Sequence, residues 1–222
     1  MAVDEAILEA VGRGGSLPTL RLYAWEPACL SLGYAQPLSD VTFPCLQARG
    51  WEMVRRPTGG RAVLHTDEIT YSVITPLNEP RMAGTVLESY GRLAAALVEA
   101  LCILNLPVEV QECADPVQEP RLPRRSSKNS NPVCFEVPST SEITSGGKKL
   151  VGSAQARRKE GVLQHGSLPL TGDLTRILQV LAFPDEDART RAACHLLERA
   201  TTLEAALGRV VSWNEAAQAF SA

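Results

Sequence analysis

The stretch Arg55-Arg56-Pro57-Thr58-Gly59-Gly60-Arg61-Ala62-Val63-Leu64-His65, with Glu68 to Val73 beyond it, decides how this chain is read. Trp51 to Val54 before it is apolar and β-prone, and Ile69 to Ile74 after it alternates as a half-buried strand does. Between them stand Pro57, Gly59 and Gly60, which strands avoid and turns need. The pattern predicts a strand, a tight Gly-Gly turn and a second strand, a hairpin over 51–56 and 69–74. Glycine has no Cβ, so a ligand chain can lie directly on such a backbone and reach its N–H groups. Taken alone, two arginines before the turn and a histidine after it describe a hairpin with a solvated basic edge.

Working outward, Val3, Ala6, Ile7, Ala10 and Val11 recur at helical spacing, and Gly12, Gly14 and Gly15 end the run. Two β-like runs, Leu20 to Tyr23 and Leu30 to Tyr34, are split by Glu26-Pro27, and a short helix over 43–48 leads into the hairpin. Thr85 with Glu88 is a capping box that opens the strongest helix, with Leu93, Ala94, Leu97, Val98, Leu101 and Leu104 on its apolar stripe. The strand-like Val108 to Val110 follows. Residues 114–132 alternate prolines with basic residues and serines, a composition that buries little apolar surface and predicts a mobile loop leading to Cys134. From Ser141 to Leu170 three β-like runs form a meander, and helices fill the remainder, with caps expected at Thr201 (with Glu204) and Ser212 (with Glu215).

At 222 residues the chain can bury a substantial core. A hydrophobic content of 45% and a net charge of −3 describe an ordinary soluble globule, without the basic excess of a nucleic-acid binder. No apolar run reaches a membrane span, and the acidic first residues are not a signal peptide, so the expected compartment is the cytoplasm. Cys29, Cys45, Cys102, Cys113, Cys134 and Cys194 are scattered without CxxC pairs, which points to reduced thiols, not a disulfide frame or a zinc site. A lone cysteine is usually a small buried hydrophobe, and that reading suffices for all but Cys134.

A second stretch, Ser145 to Leu168 (SGGKKLVGSAQARRKEGVLQHGSL), changes the balance. Together with the first it resembles the signatures of the lipoate/biotin protein ligase and octanoyltransferase superfamily, RRxTGG(G/R)xVxH and G(K/R)KxxGSAQxR followed by xLQHGS. The resemblance implies an α+β fold, a mixed or antiparallel central sheet with flanking helices, and one catalytic domain over 1–222. Pro132-Val133-Cys134-Phe135 with Pro138-Ser139 is similar to the segment that carries the nucleophile of the transferases. Lys149 matches the family lysine held to lower that thiol's pKa.

The resemblance further places Arg56, Gly59, Gly60, His65, Gly152, Ser153, Ala154, Gln155, His165 and Gly166 around the acyl chain. Lys148 should face away from Lys149, because successive strand residues alternate. The implied activity is octanoyl transfer from octanoyl-acyl carrier protein to the acceptor lysine of a lipoyl domain or glycine-cleavage H protein, with neither metal nor ATP required. The Arg124-Arg125 and Arg157-Arg158-Lys159 runs then suit the acidic surfaces of such partners. Three alternatives share the motifs: an amidotransferase between lipoyl domains, an ATP-dependent lipoate–protein ligase, and a non-catalytic binder of the acyl group or lipoyl domain. Family members place a strand before the helix at 2–11, so the start at Met1 is expected to be late.

Overall fold

The computed structural model describes residues 1–111 and 142–222. Its elements in order are α1 (Ala2–Gly12), β1 (Thr19–Tyr23), β2 (Cys29–Leu32), α2 (Phe43–Ala48), β3 (Glu52–Arg55), β4 (Val63–His65), β5 (Glu68–Thr75), α3 (Val86–Ile103), β6 (Glu109–Gln111), β7 (Glu142–Ser145), β8 (Lys148–Arg158), β9 (Gly161–Pro169), α4 (Glu186–Arg199), α5 (Leu203–Leu207) and α6 (Trp213–Ser221). A 3₁₀ segment, Leu174–Gln179, lies between β9 and α4. The strands form a six-stranded antiparallel sheet in the order β1-β5-β9-β8-β7-β6 and a three-stranded mixed sheet in the order β3-β2-β4. The α+β expectation and the 141–170 meander, β7 to β9, are both observed.

The expected hairpin is not. β3 runs parallel to β2, with Leu30 opposite Met53, while β4 runs antiparallel on the other side of β2, with Leu30 opposite Leu64. The β2 strand therefore lies between the two arms, and β5 belongs to the large sheet, opposite β1 and β9. The physical reason is reach. Crossing over a central strand means spanning two strand spacings, roughly 10 Å, which a two-residue turn does not do and the longer connection after Arg55 does. Leu30 and Leu32 are fully buried by the arrangement.

Among the described residues, three buried clusters hold the elements together. Ile69, Tyr71, Leu150 and Leu168 from the large sheet meet Ala94, Leu97 and Leu101 of α3, Leu203 of α5, and Ala216 and Ala219 of α6. Leu30, Leu32 and Leu46 pack with Ile177, Leu178, Leu181 and the α4 residues Ala192 and Leu196. Leu8 and Val11 of α1 cover Ile74 and Leu163. Each fully buried leucine or isoleucine contributes about 1.5–3 kcal/mol. The carboxylate of Asp4 fastens α1 to the sheet by accepting from Arg21 (2.8 Å), Tyr23 Oη (3.0 Å) and Ser72 Oγ (3.0 Å).

The capping box at Thr85 forms in full: Glu88 N donates to Thr85 Oγ1 (3.2 Å) and Thr85 N donates to the Glu88 carboxylate (2.7 Å). The cap of α5 is Thr202, which accepts from Ala205 N, and not Thr201. Ser212 caps α6 by accepting from Glu215 N, but the Glu215 side chain accepts from Arg209 instead of closing a box. Helix amphipathicity also shifts slightly. Leu197 on α4 is exposed, and so are Cys102 on α3 and Cys194 on α4, against the expectation that a lone cysteine is buried.

Candidate active site

The connection between β3 and β4 winds around one side chain. Arg56 is buried, and its guanidinium donates to Ser31 O (3.0 Å) and Ser31 Oγ (3.1 Å) through Nη1, and to Gly59 O (2.9 Å) and Arg61 O (2.6 Å) through Nη2. A planar fork with five fixed donors suits that task, since turn carbonyls without a ladder partner need one. Arg55 does the same outward, donating to the carbonyls of Gly33, Tyr34 and Gln36. Both arginines thus brace the loop; Arg56 is buried and only Arg55 remains exposed as the expected solvated edge. Gly60 sits at φ 94°, and a Cβ on Gly33 would meet Gly60 O at 1.9 Å. These glycines seat the loop on the end of β2, and neither Gly59 nor Gly60 is among the residues lining the cleft described below.

From Arg56 a buried hydrogen-bond chain runs inward. Ser31 Oγ meets His65 Nε2 at 2.7 Å, and His65 Nδ1 donates to Glu68 Oε1 at 2.6 Å. The same carboxylate oxygen accepts from Thr70 Oγ1 (2.5 Å), which in turn accepts from Trp25 Nε1 (2.8 Å). The Trp25 ring stacks on His65 with centroids 4.5 Å apart. Every one of these groups has its partner, so the imidazole is locked in place on both edges. Ser31, Glu68, Thr70 and Trp25 were not singled out from the sequence. The usable signal was Glu68 itself, a carboxylate three residues past a histidine at the start of an alternating strand.

His165, on β9, is also buried, with Nε2 at 2.6 Å from Thr58 Oγ1 and no partner for Nδ1 among the described residues. Burial first, and the Arg56 charge second, push its pKa down to about 3, with the Asp4 carboxylate opposing. The imidazole is therefore neutral at physiological pH. An unfolded histidine protonates near pH 6.5, so the unfolded state binds the proton first and stability falls as pH drops from 6.5 toward 3. At pH 5 this one group is expected to have cost about 2 kcal/mol relative to pH 7. Denaturant unfolding at the two pH values checks it, with His165→Gln, whose amide nitrogen reaches the Nε2 position, predicted to show a loss smaller by about that amount.

Lys149, Gly152, Ser153 and Ala154 of β8 and His165, Gly166 and Ser167 of β9 face Ser31, Arg56, Val63, His65 and Thr70 across a cleft of about 500 Å³, reached also by Met1. The two motifs, far apart in the chain, thus share one cavity. Gly166 needs its missing side chain, because a Cβ there would meet Gly152 O at 2.4 Å and Tyr71 Cε1 at 2.7 Å. Gln155 does not belong to the cleft. It sits on the α3 side of β8, donating to Gln164 Oε1 (2.8 Å) and Ser89 Oγ (3.2 Å), because strand alternation turns it away from Gly152 and Ala154.

A narrower cavity of about 260 Å³ lies on that side, between Tyr90, Ala94 and Leu97 of α3 and Glu142, Ile143, Val151, Ser153 and Gln164. Lys149 borders both cavities, and its Nζ lies 2.6 Å from Glu142 Oε1. Lys148 points elsewhere, as alternation requires, and donates to Leu197 O. Arg157 is spent on the carbonyls of Met82 and Gly84 and on Ser89 Oγ, so the 157–159 run offers only Arg158 and Lys159 to solvent.

Cys134 lies outside the described residues, as do Cys113, Arg124 and Arg125. Among the described cysteines, Cys29 is inert. Burial, reinforced by Glu52, pushes its thiol up to about 11. The described residues contain no group of three or more His, Cys, Asp or Glu arranged to hold a metal ion. None of their helices is long and apolar enough to cross a membrane.

A cleft with two cations on its wall and small residues along one strand is suited to an acyl group with a polar head. The chain is also similar to known proteins. An octanoyltransferase, LipM, of Moorella thermoacetica is 45% identical over 212 residues, covering 95% of this chain and 75% of the relative. The octanoyltransferase LipM of Kyrpidia tusciae is 45% identical over 213 residues, covering 96% and 76%. Among solved structures, the bipartite lipoate protein ligase of Thermoplasma acidophilum superposes with a TM-score of 0.72 at 24% identity, over 99% of this chain and 76% of that one, which shows a shared fold. The family model for the lipoyl protein ligase A/B catalytic domain matches residues 1–222, and the chain belongs to that family.

Proposed function

We propose that this chain is an octanoyltransferase of lipoate biosynthesis. It takes the acyl group from octanoyl-acyl carrier protein, holds it as a thioester on Cys134, and passes it to the acceptor lysine of a lipoyl domain or H protein. The observation that carries the reading is Lys149: an anchored ammonium on the wall of the shared cleft, in a chain 45% identical to an octanoyltransferase over nearly its whole length.

The steps balance without an outside energy source. The Cys134 thiolate attacks the donor's thioester carbonyl, the carbonyl oxygen gains charge, and the donor thiolate leaves and takes up a proton. One thioester has replaced another. The neutral amine of the acceptor lysine then attacks the new thioester, the Cys134 thiolate leaves, and the surplus proton on nitrogen passes to it or to solvent. An amide has replaced a thioester, which is downhill, so no nucleotide is consumed. Splitting the transfer in two also means that the two partner proteins need not be bound at once. A positive charge near the sulfur raises its thiolate fraction above the few per cent of an ordinary thiol. The same charge stabilises the oxyanion of each tetrahedral intermediate.

Mixing the purified protein with octanoyl-acyl carrier protein in the absence of ATP and weighing it intact tests the proposal. The expected result is a gain of one octanoyl group, lost again when a lipoyl domain is added. A protein that modifies the lipoyl domain only with ATP and free octanoate is a ligase, and one that does neither is a binder. Either outcome overturns the reading.

A further inference from the structure

Glu142 belongs to neither motif stretch, yet it is the residue that meets the lysine. On the β7–β8 pair, Thr144 lies directly opposite Lys149, and a bulge between Ile143 and Thr144 shifts the register so that Ile143 faces Val151. Residues 142 and 144 share a face of β7 by strand alternation, which puts Glu142 diagonally across from Lys149. The two side chains are about a tenth exposed (10% for Lys149, 11% for Glu142), and their charged atoms are 2.6 Å apart. A lysine reaches its target on a flexible four-carbon stem and loses rotamer freedom when held, so its ammonium occupies one place only where something anchors it. Glu142 lines the narrow cavity and not the cleft, whereas Lys149 borders both. The carboxylate therefore holds the ammonium from the narrow-cavity side. Several polar groups near Lys149 have other tasks among the described residues. Tyr90 of α3 donates its hydroxyl to Ser153 O (2.6 Å), and Arg56, His65 and His165 are engaged with the β3–β4 connection, Ser31, Glu68 and Thr58.

We infer that Glu142 is a positioning residue for acyl transfer, anchoring the Lys149 ammonium where β7 and β8 bring the two cavities together. The inference rests on the octanoyltransferase reading for its consequence but not for its geometry, and the experiment separates the two. Single-turnover formation of the octanoyl adduct is followed in the wild type, Glu142→Gln, Glu142→Asp, Lys149→Ala and Glu142→Gln/Lys149→Ala. Displacing a reacting group by about an ångström costs on the order of 100-fold, so Glu142→Gln is expected to slow the step roughly 10- to 100-fold. Glu142→Asp should recover part of the loss. In the Lys149→Ala background Glu142→Gln should change the rate less than about twofold, because a residue that acts through another has nothing left to act on. An unchanged rate in Glu142→Gln, or the same loss in both backgrounds, overturns the inference.

A second readout needs no turnover: acetylation of Lys149 by acetic anhydride, quantified by peptide mass spectrometry. Anchoring predicts protection in the wild type and several-fold faster labelling in Glu142→Gln. Equal labelling sinks the anchoring. Faster labelling in a protein that forms no adduct at all leaves the anchoring intact and refutes the transferase reading instead. Should Glu142→Gln fail to fold, Glu142→Asp carries both measurements with intermediate effects expected.

Discussion

Cys134→Ala is expected to leave no octanoyl adduct on the intact protein and to lower transfer to a lipoyl domain by about four orders of magnitude or more. The size follows from the chemistry. Without a sulfur to hold the acyl group, the acceptor amine must meet the donor thioester directly, with both proteins bound in one geometry at once. No described cysteine is positioned to substitute: Cys29 is buried with its thiol pushed up to about 11, and Cys45, Cys102 and Cys194 are not among the residues lining the cleft. If Lys149 activates the thiol as proposed, Lys149→Ala should keep a slow adduct, because the thiol remains, and a loss of about 10²-fold is expected for removing one electrostatic stabiliser. Lys149→Arg keeps the charge but exchanges a compact ammonium for a planar fork, so only partial recovery follows. Intact mass and a tryptic map of the octanoylated peptide check these outcomes. An adduct that persists in Cys134→Ala, or maps to another residue, refutes the assignment.

How much of this could be read in the chain depends on whether the deciding contact is local. The meander over 141–170 and the helix behind Thr85 depend on turns and caps within a few residues, and both stand where the pattern put them. The hairpin over 51–56 and 69–74 failed because its Gly-Gly signal is local while its pairing is not. A strand from earlier in the chain, Cys29–Leu32, pairs with 52–55, and 69–74 joins the large sheet between β1 and β9. The same limit hid half of the hydrogen-bond chain at the cleft. Thr70 and Ser72 read as the solvated face of an alternating strand, yet both are buried, one against Glu68 and the other against Asp4. Alternation carries enough to separate Gln155 from Gly152 and Ala154, so the four residues do not form one wall. Arg56, His65, His165 and Lys149 were visible through the motifs. That Arg56 braces backbone was not, because an arginine between an arginine and a proline gives no hint of which carbonyls lie beneath it.

That bracing makes Arg56→Met the substitution with the largest expected effect on stability. Methionine keeps much of the aliphatic length and removes the fork. Four acceptors at Ser31, Gly59 and Arg61 then lose their donor in a buried setting. Each unsatisfied buried group costs about 1–3 kcal/mol, partly offset because an ion no longer has to be held out of water. A net loss of about 3 kcal/mol is expected, which in a chain of this length lowers Tm by roughly 6–12 °C. Arg56→Lys is predicted to recover less than half, since an ammonium cannot reach acceptors on two sides of a plane. The local consequence is sharper than the global one. Ser31 Oγ loses its contact with Arg56 Nη1 and Thr58 is no longer fixed, so His65 and His165 each lose the surroundings that hold their rings. Thermal unfolding therefore measures the first effect. Imidazole NMR signals, single and sharp in the wild type and broadened or doubled for both histidines in Arg56→Met, measure the second. Unchanged signals with a lowered Tm would mean that the guanidinium braces the loop and leaves the cleft alone.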